Sequence, residues 1–316
     1  MKKMNIKCPV NSLKNAITQI KLGATELYVG LKTKDMANLT YGGRGKTTWD
    51  GKNCTVEYNE LKEIVEYSHS KGIQVSFAAN MPIMYDEMIT SYINYVEMGL
   101  KAGVDSIILG SIESILLLAS ENYPVRYIAS VFTEAYNLEF VKWLEEQNIK
   151  EVYLPHHLKL SEISEIAANT SLDIGVFAHF GCSNSNGACF LYHESGENIN
   201  VGLPCRGLYN ACSRTEKLIS SNYLDAGTDC SLCSIQKLYD AGVKTLKIVG
   251  RGKDITLLGA LTKLYSYAID KIDNGFESSE IRSYAINAMP YIEKDNCSIK
   301  RCKYLIDTPI YKAMVW

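Results

Sequence analysis

Short apolar-rich runs alternate with longer stretches of helical periodicity, and this alternation restricts the chain to a parallel α/β architecture. Eight such runs precede residue 252: Asn5 to Val10, Glu26 to Gly30, Gln74 to Asn80, Ser106 to Gly110, Val125 to Val131, Glu151 to Pro155, Asp173 to His179 and Thr245 to Val249. A strand covered on both faces reads as a nearly continuous apolar run, as most of these do. Between them, apolar residues recur three and four apart: Leu13, Ile17 and Ile20; Leu61, Ile64 and Val65; Ile93, Val96 and Leu100; Phe140, Val141 and Leu144; Ile163 and Ile166. These spacings predict the buried faces of helices. Gly23, Gly72, Gly103 and Gly242 stand just before a strand, where a left-handed helix stop favours glycine. Eight β/α steps predict a closed (β/α)8 barrel of the TIM type. An open doubly wound sheet is the alternative, and the lack of a glycine-rich phosphate loop argues against it.

A (β/α)8 barrel builds its site from the loops at the carboxyl ends of its strands. Those ends carry Asn80 after the third run, Gly110 and Ser111 after the fourth, Phe132 and Glu134 after the fifth, His156 and His157 after the sixth, and His179 at the end of the seventh. Glu134, His156 and His179 are the candidate acid–base groups, with Asn80 as a substrate contact. His156 and His157 are adjacent, so on a strand they would point to opposite faces and could not share one metal.

Six of the ten cysteines, Cys182, Cys189, Cys205, Cys212, Cys230 and Cys233, fall within one segment just after His179. Four thiolates from one stretch can close a zinc site or hold a [4Fe–4S] cluster. The alternative is that some are small buried apolar residues. The segment forms an insertion between strands seven and eight, so it would cap the same mouth. The organisation predicted is a barrel domain over 1–252, with the cysteine-rich insertion at 182–234, and a C-terminal helical extension over 253–316. That extension contains a helix from Ile255 to Ile272, then Cys297 and Cys302, which read as a separate pair or as free thiols.

A net charge of -2 and a pI near 6.2 give no global electrostatic footprint for nucleic acid or an anionic membrane. No window reaches the 18 or so apolar residues of a spanning helix, and MKKMNIKCPV has no apolar signal region. The expectation is a cytoplasmic protein without membrane contact, in which clustered cysteines favour metal or redox chemistry over disulfides. The run YGGRGKTTWDGKN contains Gly-Lys-Thr but lacks the first glycine of a phosphate loop. It reads as a lid that offers Arg44 to an anionic substrate. His193 and Glu194 form no zinc-protease helix motif.

The segments CPVNSLKNAITQIKLGATELYVGLK, GVFAHFGC, NGAC, LPCR, DCSLC and GVKTLKIVGR occur in that order. In order and spacing they resemble the collagenase-like peptidase family, peptidase family U32, over about residues 5 to 252. The family also contains the oxygen-independent hydroxylases of anaerobic ubiquinone biosynthesis and of tRNA and ribosomal RNA. The resemblance implies a [4Fe–4S] cluster on Cys182, Cys189, Cys205 and one of Cys230 and Cys233, with zinc as the fallback cofactor. Gly175 and Val249 stand where the family has glutamate, and the His-to-Cys interval is one residue shorter, which puts peptidase chemistry in doubt.

Three functional classes follow: an iron–sulfur hydroxylase or related redox enzyme acting on an aromatic or nucleobase substrate, a peptidase, and a non-catalytic RNA-binding or redox-sensing module. The implied partners are a small-molecule or RNA substrate, prephenate as oxygen donor, and a second family member in a homo- or heterodimer. Prephenate is a dianion, for which Arg44, Arg206 and Arg251 are the candidate cationic partners.

Overall fold

The computed structural model describes residues 4–33, 54–82, 84–121, 123–181, 208–211, 219–221, 230–275, 278–288 and 302–304. Cys182, Cys189, Cys205, Cys212, Cys297, His193, Glu194, Arg44 and Arg206 lie outside them.

Seven parallel strands come first: β1 (Asn5–Pro9), β2 (Glu26–Val29), β3 (Gln74–Ala79), β4 (Ser106–Leu109), β5 (Arg126–Ala129), β6 (Ile149–Tyr153) and β7 (Asp173–His179). A short antiparallel pair, β8 (Tyr209–Ala211) and β9 (Ile219–Ser221), belongs to the insertion, and β10 (Thr245–Ile248) completes the set. The strands close in the order β1-β10-β7-β6-β5-β4-β3-β2, so the predicted TIM-type barrel is present. The helices are α1 (Leu13–Lys21), α2 (Tyr58–His69), α3 (Ile89–Lys101), α4 (Ile112–Glu121), α5 (Leu138–Glu146), α6 (Leu160–Ala168), α7 (Ile235–Asp240), α8 (Ile255–Asp273) and α9 (Ser278–Ala288). Gly23, Gly72, Gly103 and Gly242 all have φ between 70° and 107°, the left-handed stops expected of them.

Two helices bury a face other than the one their aliphatic residues predict. In α1 the buried residues are Asn15, Ala16 and Gln19, while Leu13 and Ile20 are only partly covered. The cause is α8, where a Cβ on Gly259 would come within 2.7 Å of Leu22 and the Thr262 hydroxyl donates to the Gln19 side chain. A close helix contact of this kind accepts small and hydrogen-bonded residues and pushes long aliphatic ones to its flanks. In α3 the buried set is Tyr92, Tyr95, Val96 and Gly99 rather than Ile93 and Leu100. Both tyrosine hydroxyls reach carbonyls at the end of β3, Tyr92 to Ala79 at 2.9 Å and Tyr95 to Ala78 at 3.3 Å. An aromatic ring with a satisfied hydroxyl covers more strand surface than an isoleucine.

The barrel interior is charged at one end and aromatic above it. Lys7 is fully buried and pairs with Glu26 at 2.9 Å and Glu151 at 3.1 Å, and Arg126 bridges Glu151 at 3.3 Å and Asp173 at 2.8 Å. Burial works to raise the Glu151 carboxyl, but the Lys7 and Arg126 charges outweigh it and hold the group below the usual carboxylate range. Next to this network, Tyr28, Ile108, Ile128 and Tyr153 form a small apolar layer of their own. Lys247 places its ammonium 4.5 Å from the centroids of both Tyr28 and Tyr153.

Candidate functional site

The end of β7 is where the chain leaves the barrel and returns to it. Phe180 (φ 57°) and Gly181 (φ 146°) turn the backbone out of the strand, and the insertion comes back at Cys230. Cys230 pairs antiparallel with His179, and the Ser231 amide donates to the Ala178 carbonyl at 3.1 Å. A second crossing covers the same place. Residues 302–304 run parallel to Cys230 through a Cys230–Cys302 bridge, and the Lys303 amide donates to the Cys230 carbonyl at 2.8 Å. The Ser234 hydroxyl holds the Lys303 carbonyl at 2.8 Å, and the Tyr304 hydroxyl reaches the Phe177 carbonyl at 3.2 Å. This strap links the far end of the sequence to the mouth of the barrel.

His179 is 4% exposed and held from outside the barrel by α8. The Tyr265 hydroxyl lies 3.3 Å from its Nδ1 and 2.5 Å from the Ala178 carbonyl, and it accepts the Ser231 amide at 3.2 Å. A hydroxyl has one proton, and the shorter contact to an obligate acceptor claims it. Nδ1 of His179 must then carry its own proton, which leaves Nε2 as the basic nitrogen.

Cys230 sits beside this arrangement, its sulfur 4.0 Å from the Tyr265 hydroxyl. Burial pushes its thiol up to about 12, with the neighbouring Cys233 and Cys302 adding to the rise. Without a metal such a thiol is protonated and a poor nucleophile, and a soft metal would have to displace its proton. Cys233 lies three residues on, in the single turn Leu232–Ser234 that leads into α7. Cys302 was legible only as a tail thiol, yet the fold brings it against the first cysteine of this pair. Among the described residues no three His, Cys, Asp or Glu side chains group closely enough to hold a metal ion.

His156 follows β6 and is 7% exposed, whereas His157 is exposed and lies against the Tyr136 ring at 5.3 Å. The adjacent histidines therefore diverge as expected. Burial, then the charges of Lys303 and His157, lower the His156 imidazole to about 3, so it is neutral at any physiological pH. Glu134 adopts a left-handed conformation (φ 56°) after the turn Val131–Thr133, and burial raises its carboxyl against a hydrogen bond from Tyr136. Asn80 donates to the Ser130 hydroxyl at 3.1 Å, joining the ends of β3 and β5. Arg251 follows β10, and its guanidinium occupies the space that a Cβ on Gly30 would need at the end of β2. Its charge works to lower the Tyr28 hydroxyl, but burial dominates and the group is raised.

The residues that sequence reasoning overlooked are Tyr265, Lys247, Lys303 and Tyr304, and Cys302 was named only as a tail thiol. Lys247 lies inside the GVKTLKIVGR segment, so a signal existed. Tyr265 sits in an ordinary amphipathic helix, and nothing local marks 302–304 as a strap.

The profile of peptidase family U32 matches residues 11–299. Among characterised proteins, the chain is 24% identical over 227 residues to the 23S rRNA 5-hydroxycytidine synthase of Escherichia coli, covering 70% of this chain and 34% of that protein. It is 25% identical over 295 residues to a collagenase of Porphyromonas gingivalis, covering 87% of this chain and 67% of that one. It is 24% identical over 284 residues to tRNA hydroxylation protein P2 of Bacillus subtilis, covering 85% and 87%. The chain thus spans about a third of the length of the ribosomal RNA enzyme. Among solved structures, a U32 peptidase superposes with a TM-score of 0.51 at 12% identity, covering 80% of this chain and 94% of that one. The ribulose-1,5-bisphosphate carboxylase of Pyrococcus horikoshii gives 0.54 at 10% identity, covering 92% and 66%. Both likenesses are of fold. No helix among the described residues is long and apolar enough to cross a membrane.

Proposed function

The chain belongs to peptidase family U32, and from that premise we propose that it is an iron–sulfur enzyme that hydroxylates an aromatic or nucleobase substrate without molecular oxygen, or carries out a related redox transfer. The observation that carries this reading is the pairing of Cys230 with His179 at the carboxyl end of β7, which joins a soft ligand and a base of defined tautomer at the place where a barrel does its chemistry. Cys230 or Cys233 would supply one thiolate and Cys182, Cys189 and Cys205 the others. The donor set fits a [4Fe–4S] cluster in kind, since every member is a thiolate, and zinc is the fallback. The cluster would supply electron transfer. The residues of the chain do the rest: Nε2 of His179 accepts or returns a proton, Asn80 and Glu134 line the mouth, and Arg251 with Arg206 and Arg44 would meet an anionic oxygen donor such as prephenate. The named activities of the RNA-modifying relatives support the reaction class, and RNA or a small molecule would be the substrate. Assembly as a homodimer or with another family member, and a cytoplasmic location, accord with that role.

The test is anaerobic purification of the whole chain followed by iron and sulfide analysis and absorption spectroscopy. Serine at Cys182, Cys189 or Cys205 should each remove most of the brown chromophore, because a hydroxyl is a poor replacement for a thiolate. Full iron and sulfide in all three variants would overturn the ligand assignment. The peptidase reading is kept because of the collagenase relative. Hydrolysis of gelatin by cluster-free protein, absent in a His179→Ala variant, would establish it.

A further inference from the structure

We propose that the mouth of the barrel contains a binding site for a small oxyanion, a carboxylate or a phosphate, between His156 and Lys303. The first observation is an unanswered hydrogen bond. His156 is 93% buried, being 7% exposed, and its Nδ1 lies out of water with no partner. Buried polar atoms in native proteins nearly always have a partner, so an exception calls for an explanation, a bound water or ion among them.

The second observation is the cation beside it. Lys303 is 1% exposed, although it comes from the end of the chain and belongs to no helix or strand of the barrel. Its ammonium lies 3.5 Å from the position a Cβ on Gly181 would take, and its charge acts on His156. The Phe177 ring is near both, 6.3 Å from the His156 ring and 3.1 Å from the same Cβ position. The strap fixes the lysine backbone through the bonds of Lys303 to Cys230 and Ser234, and the side chain is buried.

A neutral imidazole and a buried ammonium beside an aromatic ring select one ligand class. In the tautomer that carries its proton on Nδ1, His156 donates to an oxyanion, which also pairs with the Lys303 ammonium. A cation would be repelled by Lys303, and an apolar group would leave Nδ1 unbonded. An ammonium has three donors, so Lys303 can serve an anion and another partner together. The site needs no iron and does not rest on the cluster reading.

The experiment uses the whole chain labelled with 15N at histidine, with the His156 signal assigned by its loss in His156→Gln. Sodium acetate and inorganic phosphate are titrated in separate arms at pH 7 and constant ionic strength. The expected result is a saturable change at Nδ1 of His156 with at least one anion. Lys303→Met should weaken that binding by about tenfold or more, and Lys303→Arg should keep it within about threefold. Tighter binding of acetate assigns the site to a carboxylate, and tighter binding of phosphate to a phosphate ester. No saturable change with either anion in the wild type overturns the proposal, as does wild-type affinity in a folded Lys303→Met protein. The wild-type arm decides even if that variant does not fold. Iron is assayed in the same samples, and a His156 response in protein unable to hold a cluster leaves this site standing while the iron–sulfur reading falls.

Discussion

Tyr265 of α8 and His179 of β7 are joined by a single hydroxyl, which lies 2.5 Å from the Ala178 carbonyl and 3.3 Å from Nδ1 of His179. An outer-layer helix thereby sets the proton position of a residue at the barrel mouth. Tyr265→Phe removes the acceptor of the imidazole N–H, while the Ser231 amide and the Ala178 carbonyl keep their bond to each other at 3.1 Å and lose only their shared contact with the hydroxyl. Stability should fall by about 1–3 kcal/mol, the cost of an orphaned buried group. Histidine 15N spectra should also show His179 leaving the Nδ1-protonated tautomer for a mixture. An unchanged tautomer in the variant would contradict the assignment.

Glu151 is the hub of the charged end of the barrel, touching both Lys7 and Arg126. Glu151→Gln keeps the volume and removes the charge, which leaves a fully buried ammonium under-compensated. The expected loss is about 3–5 kcal/mol in urea unfolding. Adding Lys7→Met should recover part of it, because the uncompensated charge then disappears. A double variant less stable than Glu151→Gln would show that the lysine has adequate partners without Glu151.

Legibility followed the range of the interactions involved. The barrel was readable because strand burial and helix periodicity are local patterns, and β7 begins and ends where its apolar run does. His156 and His179 could be placed at the mouth because a barrel puts strand ends there. The buried faces of α1 and α3 were misjudged because they answer to distant partners, Gly259 and Thr262 for α1 and the end of β3 for α3. Cys302 and Lys303 were beyond reach for the same reason. Their place is set by backbone pairing with Cys230, and no period or spacing announces a pairing across 72 residues of sequence separation.

His156 makes stability depend on pH in a defined window. Its folded value of about 3 lies below the ordinary value of 6.5, so the unfolded chain binds a proton that the folded chain refuses. The contribution is complete above about pH 6.5 and is lost as pH falls toward 3, at about 1.4 kcal/mol per unit. The wild type should therefore lose stability between pH 6 and 4 more steeply than His156→Gln, measured by urea unfolding at each pH. Parallel slopes would mean that the imidazole protonates freely in the folded state.

Gly175 of β7 pairs with Tyr153 of the adjacent strand β6, and the tyrosine ring leaves no room for a side chain there. A Cβ on Gly175 would lie 2.6 Å from the Tyr153 ring, closer than packed atoms approach. The ring is fully buried and takes the ammonium of Lys247 at 4.5 Å, so it has little room to withdraw. The tyrosine thus fills the space that a side chain at position 175 would use. Gly175→Ala should destabilise the barrel by about 1–3 kcal/mol through overpacking. Tyr153→Ala would leave a cavity when made alone, yet it should make Gly175→Ala nearly neutral in the double variant, a coupling that a double-mutant cycle in urea reads directly. Additive losses from the two substitutions would show that Gly175 is required for some reason other than the ring beside it.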